Sequence, residues 1–166
     1  MGRILGIVSM LVVAGGVSYQ LSASSQRQSA SDQAVTSRFV GTWRLVSAQT
    51  DGKPNPNRGA HPAGLIYYDA TGHMAAQIAP ERSRPSWPAN GVPTPDQAKE
   101  AVTGYTAYFG TYSIDDTAKT VTHHREGALN MYAVDLVRRY EFTANGQLVL
   151  IPVDNPSNRL VWQRIR

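Results

Sequence analysis

From Phe39 onward, apolar and polar residues alternate in short runs broken by turn residues, the period-two signature of strands with two different faces. FVGTWRLVSAQ (39–49) reads as a long strand closed by the turn signal DGKPNPN. GLIYYD (64–69) and HMAAQIA (73–79) flank the turn ATG and read as a hairpin. A proline-rich stretch, ERSRPSWPANGVPTP (81–95), follows, long for a passive connector. In DQAKEAVTGYTAYF the period changes: Ala98, Val102, Tyr105 and Phe109 share one face at helical spacing, with Thr94 or Asp96 as the cap. The alternation then resumes in GTYSID (110–115), TVTHHRE (120–126), DLVRRYEFT (135–143), QLVLIP (147–152) and RLVWQRI (159–165). Asn145-Gly146 is a strong hairpin turn. The expected fold is all-β: an antiparallel barrel or sandwich of about eight strands with one helix. A closed barrel is the stronger expectation, because it leaves no unpaired sheet edge.

Strand parity then assigns faces. In TVTHHRE, Val121, His123 and Arg125 share one face, and Thr122, His124 and Glu126 share the other. The aliphatic residue assigns the first face inward. In VDLVRRYEF the apolar parity is Val134, Leu136, Tyr140 and Phe142, and it carries Arg138 with it. Tyr112 and Ile114 share a face in GTYSID, as do Leu160, Trp162 and Arg164 in the last strand. Three strands therefore put an arginine on the apolar side. A dry core does not tolerate that, since a buried unpaired charge costs several kcal/mol. Either these arginines snorkel out at a barrel rim, or the interior is a wet cavity. An eight-stranded barrel is just wide enough for one small ligand, and a guanidinium fork suits a carboxylate or phosphate. Arg138, Tyr140, His123, Arg125 and Tyr112 are the ligand-binding candidates.

The N-terminal 23 residues carry one charge, Arg3, then an apolar run from Ile4 to Val17 and the small-residue site Leu21-Ser22-Ala23. About fourteen apolar residues are short of the roughly twenty a spanning helix needs. The segment reads as a secretory signal peptide (1–23), with an uncleaved anchor as the alternative. Residues 24–37 read as a polar tether and 38–166 as one domain. The expected location is periplasmic or secreted, with membrane contact only through an uncleaved anchor.

The 166 residues carry a net charge of +4 with lysines and arginines scattered, which does not give the basic stripe of a nucleic-acid binder. There is no cysteine, which excludes disulfides, thiolate metal sites and a cysteine nucleophile. His123 and His124 are adjacent and point oppositely on a strand, so they cannot chelate one metal together. No metal or cofactor is expected. No serine lies in a GxSxG context and no phosphate-binding glycine loop is present.

FVGTWRLVSAQ followed by DGK, GLIYYDATGHMAAQIAP, GYTAYFGTYSID, TVTHHRE and RLVWQR resemble the bacterial and fungal lipocalin-like domain family, over nearly all of Phe39 to Arg166. The resemblance implies a β-barrel with a pocket and no particular activity. It implies structural roles for Trp43 and for Trp162-Gln163-Arg164. Many relatives carry an asparagine–tryptophan pair after the THH strand, where this chain has Asn130-Met131-Tyr132. Three functions follow as expectations. The first is a monomeric binder of a small, partly apolar, acidic ligand. The second is an isomerase or cyclase using His123 as general base with Tyr112 or Tyr105 as proton donor. The third is an envelope protein with a filled interior that binds a partner through its outer surface. Tyr105, Tyr108 and Tyr112 either plug one barrel end or line a pocket floor, and 81–95 is either a lid or a rigid strap.

Overall fold

The computed structural model describes residues 33–84, 86–129 and 134–165. The signal segment 1–23, most of the tether and Asn130-Met131-Tyr132 lie outside the described residues. Among those described, no helix is long and apolar enough to cross a membrane.

Nine strands form one antiparallel sheet: β1 (Gly41–Thr50), β2 (Lys53–Pro54), β3 (Ala63–Tyr68), β4 (His73–Ala79), β5 (Thr106–Asp115), β6 (Thr120–Ala128), β7 (Leu136–Phe142), β8 (Gln147–Pro152) and β9 (Asn158–Arg164). β9 pairs back onto β1, so β1 and β3 through β9 close into an eight-stranded barrel, while β2 adds a two-residue ladder to the end of β1. Closure shows in the alternation of β6 and β7, whereas Leu148, Val149 and Leu150 of β8 are all buried. On β6, Val121, His123 and Arg125 are buried, and the residues between them are partly exposed. On β7 the inward parity is Leu136, Arg138, Tyr140 and Phe142, with Val137, Arg139 and Glu141 outside.

Among the described residues two helices are present where one was expected. A helical segment at 33–39, α1, sets Val35 and Phe39 into the core and begins five residues ahead of the expected start at Arg38. The second, α2 (Pro95–Val102), is shorter than the expected 96–109. Its start follows the sequence: Thr94 caps it, and Gln97 closes a capping box. Its end does not. Gly104 takes φ +73° directly after the cap, and a Cβ there would lie 2.9 Å from the Asn57 carbonyl oxygen. The chain turns there into β5, so Phe109 is a strand residue facing out, and α2 has no buried residue. The apparent helical spacing of Tyr105 and Phe109 was a coincidence across this turn.

The barrel's two ends differ. At one, the Phe39 ring meets Tyr68, Tyr140 and Phe142 edge-on at centroid distances of 5.4, 5.0 and 5.1 Å. Trp43 donates its indole N–H to the Phe39 carbonyl at 2.7 Å. The Arg164 guanidinium lies 4.3 Å over the Trp43 ring and donates to the carbonyls of Arg38 and Val40. This end is a packed floor. The other end carries the loop around β2, the 80–105 segment with α2, and the 153–157 turn. There Arg82 pairs with Glu100 and donates to Thr103 O at 2.8 Å, and Arg84 donates to Ala101 O at 3.0 Å. The segment is thus tied along α2, which fits a strap.

Because the Phe39 ring fills the floor, Phe39→Ala should cost about 3–5 kcal/mol in unfolding free energy, read from urea denaturation. Unchanged stability would detach α1 from the core.

Candidate functional site

The site is built on the inner faces of β3, β5, β6 and β7. His123 is fully buried. The Tyr68 hydroxyl lies 2.7 Å from its Nε2 and the Tyr108 hydroxyl 2.9 Å from its Nδ1. A neutral imidazole has one donor and one acceptor, so one phenol donates to the ring and the other accepts from it. Burial holds the His123 pKa well below the usual histidine value, and Arg138, His124 and Arg125 push it further down. Burial likewise raises the Tyr68 phenol well above its ordinary range.

Arginines surround this uncharged centre. Arg125 is 5% exposed, donates Nε–H to Val134 O at 2.7 Å and stacks 6.0 Å from the Tyr108 ring centroid. Arg58 enters from the loop after β2. Its Nη2 donates to Thr106 Oγ1 at 3.1 Å, and its Nη1 is buried without a hydrogen-bond partner among the described residues. Burial lowers the Arg58 pKa and Arg138 adds to the fall, against an opposing pull from Tyr108. The loop is held by Glu81, whose carboxylate accepts the N–H of Ala60 at 2.7 Å and of His61 at 3.0 Å. Glu81 in turn donates its own N–H to Arg58 O at 2.8 Å. Arg138 is half-buried on the inward parity of β7 and lines the mouth.

Two hollows open at this end. One, about 510 Å³, is lined by Ala48, Asn55, Arg58, Tyr105, Arg159 and Leu160 among others. The other, about 470 Å³, is lined by Leu136, Arg138, Val153 and Asn155 among others, and both reach Pro152 and Asn158. Each combines aliphatic walls with guanidinium and amide groups. Among the described residues no group of three His, Cys, Asp or Glu could hold a metal ion.

The five residues singled out by parity do not share one place. Arg138 lines one of the mouth hollows, and the buried His123 and Arg125 lie beside Tyr108, outside the lining of either hollow. Tyr112 and Tyr140 point inward, but their hydroxyls bond the Asp69 carbonyl at 2.7 Å and the Asp116 carboxylate, away from the mouth. Burial first and Asp116 second raise the Tyr140 phenol pKa well above its ordinary value. Trp43 and Trp162 are core residues, and Arg164 braces the floor. Sequence reasoning missed Tyr68 as a partner of His123, although Tyr68 shares its parity with Ile66. It also missed Arg58, which sits among turn residues where no periodicity gives a direction.

Residues 40–165 match the family described as the lipocalin-like domain, most of the chain. No curated protein matches it.

The depressed His123 pKa has a consequence for stability. Above about pH 6.5 neither folded nor unfolded chain protonates this ring, and its contribution is fully present. Below that, the unfolded chain takes up a proton that the folded one refuses. Stability should fall by about 1.4 kcal/mol per pH unit from this group until the folded-state pKa is reached. An NMR titration should show the His123 ring protonating well below the usual histidine range; a midpoint near 6.5 would contradict the sealed geometry.

Proposed function

The chain belongs to the lipocalin-like domain family, and on that premise we propose that the barrel binds a small, partly apolar molecule bearing an acidic group. The ligand would enter at the end opposite the aromatic floor. Its acidic group meets Arg138 and Arg58, and its apolar part lies against Leu136 and Leu160. The observation that carries this reading is the Arg58 Nη1, buried without a hydrogen-bond partner among the described residues, on a guanidinium close enough to Arg138 to be depressed by it. Two cations that disfavour each other in a confined space are stabilised by an anion between them. An arginine fork supplies charged hydrogen bonds of fixed geometry to a carboxylate or phosphate. In the same proposal the protein is exported by residues 1–23 and acts as a monomer, whose eight barrel strands are each paired on both sides.

The isomerase or cyclase alternative has less support. A general base needs a ring nitrogen within reach of the substrate proton, and both His123 nitrogens already face tyrosine hydroxyls inside a fully buried pocket.

Isothermal titration with decanoate and with decanol separates the acidic group from the chain. A charged hydrogen bond is worth about 1.5–3 kcal/mol, roughly a 10–100-fold change in affinity. Arg138→Ala and Arg58→Ala should each weaken decanoate by that factor and leave decanol within about threefold. Equal decanoate affinity in parent and variants would remove both arginines from the site.

A further inference from the structure

On the outer face of the barrel, away from the interior pocket, three residues from neighbouring segments meet. Ser113 on β5 and His124 on β6 are diagonal neighbours across the ladder, where Ser113 faces Thr122 and Thr111 faces His124. The Ser113 Oγ lies 2.8 Å from His124 Nε2, and His124 Nδ1 lies 2.8 Å from Asp135 Oδ2. A carboxylate only accepts, so the proton between His124 and Asp135 sits on Nδ1. Nε2 is then left as the acceptor for the Ser113 hydroxyl. Nucleophile, base and orienting carboxylate occur in the order and on the ring nitrogens that acyl-transfer enzymes use, an arrangement recognised by geometry and not by chain order.

The same face carries a place for an apolar group. A hollow of about 420 Å³ is lined by Ala75, Gln77, Ala107, Phe109, Gly127 and Leu129 among others. Phe109 and Leu129, both lining this hollow, are 57% and 48% exposed. Phe109 lies four residues before Ser113 on the same strand and face, roughly 13 Å away. Thr111 stands between them.

We propose that Ser113, His124 and Asp135 form a second, surface site that cleaves esters of extended apolar acids, with the acyl chain lying toward Phe109 and Leu129. Ser113 Oγ adds to the ester carbonyl carbon while His124 Nε2 takes its proton, and the carbonyl electron pair moves to oxygen. Collapse expels the alkoxide, which takes the proton from Nε2 and leaves as the alcohol. Water repeats the cycle on the acyl-serine and releases the acid. Ester and water become acid and alcohol, with no other reactant. Asp135 touches no substrate and is a positioning residue, holding the imidazole in the reactive tautomer. Thr122, across the ladder from Ser113, is the hydroxyl that register places to meet the developing oxyanion. A single hydroxyl is a weaker oxyanion partner than a pair of backbone amides, so turnover is slow and activated esters are the suitable probes.

The test uses the full-length protein with p-nitrophenyl octanoate and p-nitrophenyl acetate, and phenylmethylsulfonyl fluoride followed by peptide mass mapping. The octanoate should have a kcat/KM about tenfold above the acetate, and the sulfonyl label should fall on Ser113. Ser113→Ala and His124→Ala should remove the catalysed rate. Asp135→Asn should lower kcat about tenfold with KM unchanged, which a merely structural role would not do. Phe109→Ser should lower the octanoate kcat/KM about tenfold, to the level of the acetate. Hydrolysis no faster than buffer, equal rates in parent and Ser113→Ala, or a label on another residue would each overturn the proposal.

Discussion

Closing an antiparallel sheet leaves each inward side chain nowhere else to go, and β6 is where that constraint is hardest to meet. Its inner face carries Val121, His123 and Arg125, all at or below 5% exposure. A charged imidazole there would be opposed by burial and by the nearby Arg138 and Arg125. The barrel resolves the conflict by keeping the ring neutral between two phenols and by laying Arg125 across one of them. Half-satisfied buried polar networks are costly, whereas satisfied ones fix a unique interior. Tyr68 and Tyr108 therefore belong to the fold as much as to the site.

From that centre the interior changes character along the barrel axis. Toward the floor, aromatic rings meet edge to face, and the indole N–H of Trp43 and the guanidinium of Arg164 bond backbone carbonyls. Toward the mouth, the Arg58 Nη1 has no hydrogen-bond partner among the described residues, and the walls come from loops fixed by local bonds such as Glu81 to the Arg58 loop. In the proposed function, the packed end and the polar open end serve capture of a molecule with one greasy and one charged part. Loop positions fixed by bonds within the loops also lower the ordering cost of binding.

Much of this was legible in the alternation of residues. The strands around Val121, Tyr140 and Trp162 lie where periodicity put them, and Arg138 shares the face of Leu136 and Tyr140 as parity required. Parity gives a direction and not a depth, so it could not tell that Tyr112 and Tyr140 spend their hydroxyls near the floor while Arg138 reaches the mouth. The helix was overextended because two residues beyond Gly104 happened to match its spacing, and a left-handed turn is invisible to a hydrophobic period. Arg58 lies in a turn, where no period applies. The pairing of Ser113 with His124 and Asp135 depends on strand register, which only the folded sheet supplies.

The central claim is that the mouth arginines hold an anion inside the barrel. A crystal structure with a bromine-labelled fatty acid tests it directly. The account places the bromine within the barrel between Leu136 and Leu160, and the carboxylate within hydrogen-bond distance of Arg138 or Arg58. Bromine found only on the outer surface, with the space beneath Arg138 filled by the protein's own side chains, would contradict it.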